Sequence, residues 1–313
     1  MKQHYRVAVA RQFGAPEVIS IENHPVQPLA AGEVRVAVRA AGQNPVDARR
    51  RAGNFGGQVP LVFGTEFSGI VHESKDPGWA AGDEVVGWGA VGADADLVLT
   101  SGDKLAAKPK ELPWAVAGGL SGAGQTSLAA LAALELQPGD VILVHAAAGG
   151  VGSMLVQLAM HQGLVVIGTA GTGNQEYLRQ LGVLPVVYGP GLSERVAQAA
   201  GGRAIAASID LAGSMEAGDL ARELVSGGAQ CITLVPETWQ SHGLPLVSVR
   251  ASAQRFAELM RSYRDGGLQL QVNTLEFNDV VKAHRQMDAK HSRGKLVLEM
   301  SDNPYLANSG DAA

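Results

Sequence analysis

The stretch Val141–Gly163, VILVHAAAGGVGSMLVQLAMHQG, limits what this chain can fold into more than any other. Val141–Val144 is a short apolar run behind the turn dipeptide Pro138-Gly139, and it reads as a buried strand. Small residues follow from Ala146 to Gly152, and then Met154, Leu155, Leu158 and Ala159 recur at helical spacing. Strand, glycine-rich turn and helix is the context in which Ala147-x-Gly149-x-x-Gly152 reads as a dinucleotide turn, with alanine where the first glycine usually stands. A pyrophosphate needs backbone N–H donors at close range and gains from the positive end of the helix dipole. Side chains at the turn would hold the phosphates away, and one at the last glycine would push helix from strand. Ala148, Gly149, Gly150, Val151 and Gly152 are therefore the candidate phosphate-facing residues. The competing use of such a turn is to cap a helix with no ligand.

The chain has 313 residues, enough for about two domains. It is 46% hydrophobic and 18% charged, which suits a globular protein with a sizeable core. Its 25 basic and 30 acidic side chains give a net charge of −5 with no basic block, so neither nucleic acid nor an anionic membrane is an expected partner. The N-terminal residues lack the apolar stretch of a signal peptide, and a cytoplasmic location is the expectation. Cys231 is the single cysteine, which excludes an intrachain disulfide and any zinc site built on several thiolates. It lies in an apolar run and reads as a core residue.

From Tyr5 to Pro109 the chain alternates short β-rich segments with turn residues, the pattern of a small barrel or sandwich. Expected strands are Val7–Ala10, Val18–Ile21, Val34–Ala40, Gly69–His72, Glu84–Val86 and Asp96–Leu99. Trp114–Glu135 reads as a helix broken or bent at Gly122–Gly124. Strands at Val141–Val144, Val165–Thr169, Val186–Tyr188, Ala206–Leu211 and Ala229–Val235 then alternate with helices, which argues an α/β doubly wound parallel sheet. Beyond Pro245 we expect strands at Val247–Val249, Leu268–Val272 and Lys295–Met300, helices at Ala253–Arg264 and Asn278–Ala289, and a disordered polar tail over Ser301–Ala313.

Several stretches in this order resemble the medium-chain dehydrogenase/reductase superfamily, in its zinc-free quinone oxidoreductase branch. They are HAAAGGVG at His145–Gly152, Asn44-Pro45-Val46-Asp47 with Arg51-Ala52-Gly53, PLVFGTEFSGIV at Pro60–Val71, Leu120–Leu131, and the C-terminal pattern through Lys295–Leu298. The resemblance implies a GroES-like β-barrel domain from residues 1–112 and 246–313 and a Rossmann domain from 113–245, with the cofactor in the cleft between them. It implies NADPH-dependent hydride transfer to an activated C=C or a quinone, no metal, and a homodimer joined through Rossmann edge strands. It further implies that Asn44 and Thr126 orient the nicotinamide, that Ser248 and Val249 line its pocket, and that Arg293 and Lys295 reach the pyrophosphate. Zinc-bearing relatives carry Gly-His-Glu where this chain has Gly64-Thr65-Glu66. Without a Lewis acid, an electron-poor acceptor such as an enone, an enoyl thioester or a quinone is the natural small-molecule substrate.

The loop Gly171-Thr172-Gly173-Asn174 departs from the branch. It has no acid to accept from a ribose 2′-OH, which disfavours NAD(H) and favours NADP(H). It also lacks the Arg or Lys that usually holds a 2′-phosphate, leaving Thr172, Asn174 and Tyr188 as candidates, with Arg179 on the next helix. No proton donor is assigned: Asp47 reads as structural, and His145 as a satisfied core histidine. The alternative reading is a nucleotide-binding sensor or a non-redox enzyme on the same fold.

Overall fold

The computed structural model describes residues 3–289 and 293–306. The chain divides into two compact units. The first takes the chain up to Gly122, Ala251–Phe256 and the described residues from Gln271 on; the second takes Ala123–Arg250 and Ala257–Leu270. Residues 246–250 and 257–270, expected with the β-rich part, group with the second unit instead. The first boundary lies inside a helix, not at residue 112.

The first unit begins with β1 (His4–Ala10), β2 (Ile19–Pro25), β3 (Glu33–Gly42), α1 (Pro45–Arg51), β4 (Leu61–Val62), β5 (Glu66–Ser74), β6 (Glu84–Trp88), β7 (Leu97–Ser101) and β8 (Leu105–Ala107). Helix α2 (Trp114–Ala132) leads into the second unit, which holds β9 (Val141–Val144), α3 (Gly150–His161), β10 (Val165–Ala170), α4 (Gln175–Gln180), β11 (Leu184–Val187), α5 (Leu192–Ala200), β12 (Ile205–Asp210), α6 (Met215–Ser226), β13 (Gln230–Thr233) and α7 (Pro236–His242). After α8 (Ala253–Arg264) the chain returns to the first unit through β14 (Val272–Glu276), α9 (Val280–Asp288) and β15 (Lys295–Glu299).

Strand β3 organises the first unit, because nearly all of EVRVAVRAAG is buried. One edge pairs with β5 along its length; the other pairs with β7 over Glu33–Ala37 and with β15 over Ala40–Gly42. Strand β15, the last among the described residues, thus completes a sheet begun near the chain's start. Phe63, Phe67, Val36, Val38, Val85 and Leu298 pack in the core of this unit. In the second unit all strand pairs are parallel, in the order β11-β10-β9-β12-β13. The order reverses beside β9, so the carboxyl end of β9 is the topological switch point at which such sheets bind ligands. Among the described residues no helix is long and apolar enough to cross a membrane.

Several sequence expectations need correction. Residues 247–250 form no strand, since only Leu246 makes an isolated bridge with Thr233. The strand expected at Leu268–Val272 lies at Val272–Glu276, paired with β15. Ser301–Leu306 is ordered, with Asn303 and Tyr305 buried; Asn303 Nδ2 donates to the carbonyls of Val38 and Asp96. The rest of the expected disordered tail lies outside the described residues. Helix α2 runs unbroken past Gly122–Gly124. Its glycines serve close approach: a Cβ on Gly118 would stand 2.7 Å from Ala40 O and 2.8 Å from Ala40 Cβ.

This contact sets two effects against each other at Gly118. Alanine there gains about 0.5–1 kcal/mol of helix preference, while forced overpacking costs about 1–3 kcal/mol. The obstacle is backbone and cannot rotate away, so Gly118→Ala is expected to lower stability, read as a lower urea midpoint. An unchanged or higher midpoint would show that this helix face is not tightly packed.

Candidate functional site

The second unit presents the glycine turn at the end of β9. Ala146 holds φ +55°, an uncommon backbone conformation for a residue with a side chain. A Cβ on Gly152 would overlap Ala146 O and lie 2.8 Å from Ala147 Cα, so this close approach of helix to turn requires glycine. Gly149 is different: an added Cβ would meet only Ala146 O, at 3.4 Å. Its extended backbone (φ −74°, ψ −179°) makes it the N-cap of α3. Ser153 N donates to Gly149 O at 2.9 Å and starts the helical ladder, so the amides of Gly150, Val151 and Gly152 precede it. Two side chains tie the helix to its neighbours, Ser127 at this end and Gln157 nearer the other. Ser127 Oγ donates to Val151 O at 3.0 Å, and Gln157 bonds both ways with Gln269, through Nε2 at 2.9 Å and Oε1 at 2.8 Å.

Neighbouring loops are also pinned from below. Asp210, fully buried at the end of β12, accepts from the amides of Ala212 and Gly213 and from Thr233 Oγ1 at 2.9–3.0 Å. Gln175 Nε2 donates to Ala170 O and Gly171 O, which sets the loop after β10. In that loop a Cβ on Gly173 would meet nothing within 4 Å, and one on Gly171 would stand 3.3 Å from the Tyr188 hydroxyl. Thr172 is exposed, Asn174 half-buried and Tyr188 exposed. Arg179 is paired with Glu176 at 3.2 Å on the surface of α4. Thr126 is half-buried in α2, Ser248 exposed and Val249 half-buried.

His145 is not the satisfied core histidine the sequence suggests. Its Nδ1 lies 3.4 Å from Thr169 Oγ1, and its buried Nε2 has no partner among the described residues. Burial pushes its pKa down to about 4, against the opposing pull of Asp210, so it is neutral at pH 7 and has no proton to give as an acid.

The first unit holds a buried ionic cluster that sequence reasoning missed. Glu66, 1% exposed on β5, accepts from Lys295 Nζ at 2.7 Å and Asn44 Nδ2 at 2.9 Å through Oε1, and from Gly122 N at 2.6 Å through Oε2. Lys295, 3% exposed on β15, also donates to Gln43 O at 2.9 Å and Asn44 Oδ1 at 2.8 Å. All donors of its ammonium are thereby engaged inside this unit. The expected reach of Lys295 to a pyrophosphate is corrected on that ground. Arg293 is half-buried, and its carbonyl accepts from Asn273 Nδ2. The signal for the cluster was present, since Glu66 is an acid inside the apolar run of Pro60–Val71 and a buried charge needs a partner.

Beside this cluster lie two fully buried carboxyl groups. Asp47 accepts from the amides of Asn44 and Gly64, both at 3.3 Å. Asp94 Oδ1 accepts from Gln43 Nε2 at 2.8 Å, and its Oδ2 has no partner among the described residues. Burial raises Asp47 to about 6, its two backbone donors pulling the other way. Burial, and then the charge of Asp47, raise Asp94 well above the usual carboxylate range.

Two family descriptions match the chain: the alcohol dehydrogenase GroES-like domain over residues 30–134 and the zinc-binding dehydrogenase over residues 181–298. The chain is 35% identical over 191 residues to an NADPH-dependent alkenal/one oxidoreductase, chloroplastic, of Arabidopsis thaliana, covering 56% of this chain and 50% of that protein. It is 32% identical over 300 residues to mycoketide-CoA synthase of Mycobacterium tuberculosis, covering 87% of this chain and 7% of that protein. The chain thus spans half or less of these curated relatives. The structure of the quinone oxidoreductase from Coxiella burnetii aligns with a TM-score of 0.84 at 27% identity, covering 95% of this chain and 100% of that one.

Zinc, named in the second description, does not fit the residues present. Among the described residues no group of three or more His, Cys, Asp or Glu side chains could hold a metal ion. Cys231 is buried and directs its Sγ to Ala221 O at 3.4 Å.

The carboxyl pair gives the first unit a pH dependence of definite sign. Both groups have folded-state pKa values above their unfolded ones, so the stability they contribute is complete below about pH 4 and falls as pH rises, for Asp47 through about 6 and for Asp94 as its raised carboxyl ionises. Asp94→Asn keeps the acceptor for Gln43 and removes one titration. Its urea midpoint is expected to gain on that of the unmodified protein between pH 5 and pH 8; a difference constant across that range would contradict the assignment.

Proposed function

The chain belongs to the medium-chain dehydrogenase/reductase superfamily, and from that premise we propose that it is an NADPH-dependent reductase of an activated C=C, in an enone or enoyl thioester, or of a quinone. One observation carries the reading. At the carboxyl end of β9, the amides of Gly150, Val151 and Gly152 precede the helical ladder, with no side chain on Gly149 to cover them. When bound, NADPH supplies a hydride.

The chain's own residues then have distinct tasks. The turn amides receive the pyrophosphate, helped by the dipole of α3. Thr172, Asn174 and Tyr188 attend the ribose 2′ position. The lack of Asp or Glu in the loop of Gly171–Asn174 supports NADP(H) over NAD(H). Asn44 and Thr126 address the nicotinamide end, and Ser248 and Val249 offer backbone groups beside it. Among the described residues no group of three or more His, Cys, Asp or Glu side chains could hold a metal ion, which supports an acceptor whose own electron deficiency supplies the reactivity. The names of the Arabidopsis and Coxiella proteins support alkenals and enones on one side and quinones on the other. Among the described residues, neither His145 nor Asp47 has the exposure of a proton donor, and we assign the proton to solvent.

The test joins turnover to one substitution. The protein is expected to oxidise NADPH in the presence of an enone, an enoyl thioester or a quinone, and to bind NADPH more tightly than NADH. Gly149→Val places a side chain over the turn amides, its Cβ meeting only Ala146 O at 3.4 Å, so it should weaken NADPH binding about tenfold or more, with folding checked by the melting temperature. Tight NADPH binding without oxidation by any acceptor would favour a nucleotide-binding protein with no redox step. Unchanged NADPH binding in Gly149→Val would overturn the site.

A further inference from the structure

We propose that Arg195 is a positioning residue for cofactor selection: it grips the backbone on both sides of Tyr188 and so holds the Tyr188 hydroxyl over Gly171, where that hydroxyl donates to the 2′-phosphate of NADP(H). The inference rests on the reading of Tyr188 as a group at the ribose 2′ position. It adds the residue that puts the hydroxyl there and the reason the neighbouring loop carries a glycine.

Tyr188 opens the loop Tyr188-Gly189-Pro190-Gly191 between β11 and α5. Gly189 and Gly191 hold φ of +102° and +82°, and glycines leave an untied chain many conformations. One guanidinium removes that freedom. From α5, Arg195 donates through Nε to Val187 O at 3.0 Å, through Nη1 to Pro190 O at 2.8 Å and through Nη2 to Gly189 O at 2.7 Å. The carbonyls before and after Tyr188 are thus held by one planar fork, with charge-assisted bonds stronger than neutral ones. Glu216 on α6 holds the same stretch by its donor, accepting from Gly189 N at 2.9 Å.

The place the hydroxyl takes is set as closely. A Cβ on Gly171 would stand 3.3 Å from the Tyr188 hydroxyl and 3.7 Å from its ring. Gly171 has an extended backbone (φ −65°, ψ 163°) that any residue can adopt, so the glycine answers to the tyrosine above it. Gln175 Nε2 ties the two loops at their roots, donating to Ala170 O and Gly171 O on one side and to Val186 O on the other. Two residues before Gly171, Thr169 O accepts from Ala147 N of the glycine turn at 3.0 Å. Turn, loop and Tyr188 all belong to the second unit. The loop of Gly171–Asn174 offers no basic side chain. Tyr188 is exposed, and among the described residues its hydroxyl makes no hydrogen bond. A phosphate, rich in acceptors, suits that free donor; an uncharged 2′-hydroxyl gains less from it.

The test is calorimetric binding of NADPH and of NADH, which lacks the 2′-phosphate, with folding read by the thermal melt. Arg195→Met removes all three bonds and is expected to bind NADPH about tenfold more weakly, and NADH within about twofold of the unmodified protein. Gly171→Ala crowds the hydroxyl from the other side and should also lose affinity for NADPH alone. In a Tyr188→Phe background neither substitution should change NADPH affinity by more than about twofold, because both act through the hydroxyl. Equal weakening of NADPH and NADH by Arg195→Met would make Arg195 a general support of the fold and overturn the proposal. So would an undiminished loss from Arg195→Met on top of Tyr188→Phe, which would put the guanidinium itself on the phosphate. Unchanged NADPH affinity in Gly171→Ala would overturn the placement of the hydroxyl. A Tyr188→Phe protein that binds NADPH as the unmodified one does would overturn the reading of Tyr188, and this inference with it. Loss of NADPH affinity in Tyr188→Phe, beside none in Arg195→Met, would overturn the inference alone. An Arg195→Met protein that does not fold would show the three bonds to be structural, against the proposal.

Discussion

The start of α3 lies against the end of β9 at a distance that only a hydrogen atom permits. A Cβ on Gly152 would overlap Ala146 O, and Ala146 itself is turned to φ +55° to bring its carbonyl there. This approach aims the first turn of the helix, and its free amides, at the switch point of the sheet. The rest of the second unit supports that aim. Ser127 and Gln157 tie the helix to its neighbours, and Asp210 and Gln175 hold the adjoining loops by their backbones. The backbone donors at the site are thus fixed by folding and need not be ordered when an anion arrives, which is the condition for binding it without a large entropic cost.

The first unit follows a different logic, in which buried charge is tolerated where each carboxylate oxygen and each ammonium proton has a partner. Glu66 and Lys295 satisfy one another, Asn44, a helix amide and a strand carbonyl. A buried pair of this kind contributes little net stability against apolar groups of the same volume, and its value lies in specifying one arrangement. Asp47 and Asp94 are the contrasting case, since two buried carboxyl groups side by side cannot both ionise cheaply. Glu66 on β5 and Lys295 on β15 lie on strands that flank β3, so the ionic cluster is built from residues far apart in sequence.

The sequence is informative where structure is local. The strand, turn and helix of Val141–Gly163 follow from period, turn chemistry and small residues within a single stretch, and the alternation after it yields the parallel sheet. It is misleading where a residue's use is tertiary. Gly122–Gly124 suggest a break or a bend, and the break does not occur, since these glycines sit in a continuous helix that packs on other elements. Lys295 carries a charge that a linear reading sends to an anion, whereas its partners are Gln43, Asn44 and Glu66, more than two hundred positions away. Ser301–Leu306 looks like a polar tail until Asn303 is seen bonding β3 and the residue just before β7. In each case the deciding partner lies on another element, beyond the reach of periodicity.

The central claim is that the amides of Gly150, Val151 and Gly152 receive the pyrophosphate. Amide hydrogen exchange followed residue by residue by NMR, with and without saturating NADPH, tests it most directly. The account predicts that these amides gain strong protection on binding and shift together at one occupancy. Binding of NADPH that leaves their exchange and chemical shifts unchanged would contradict it.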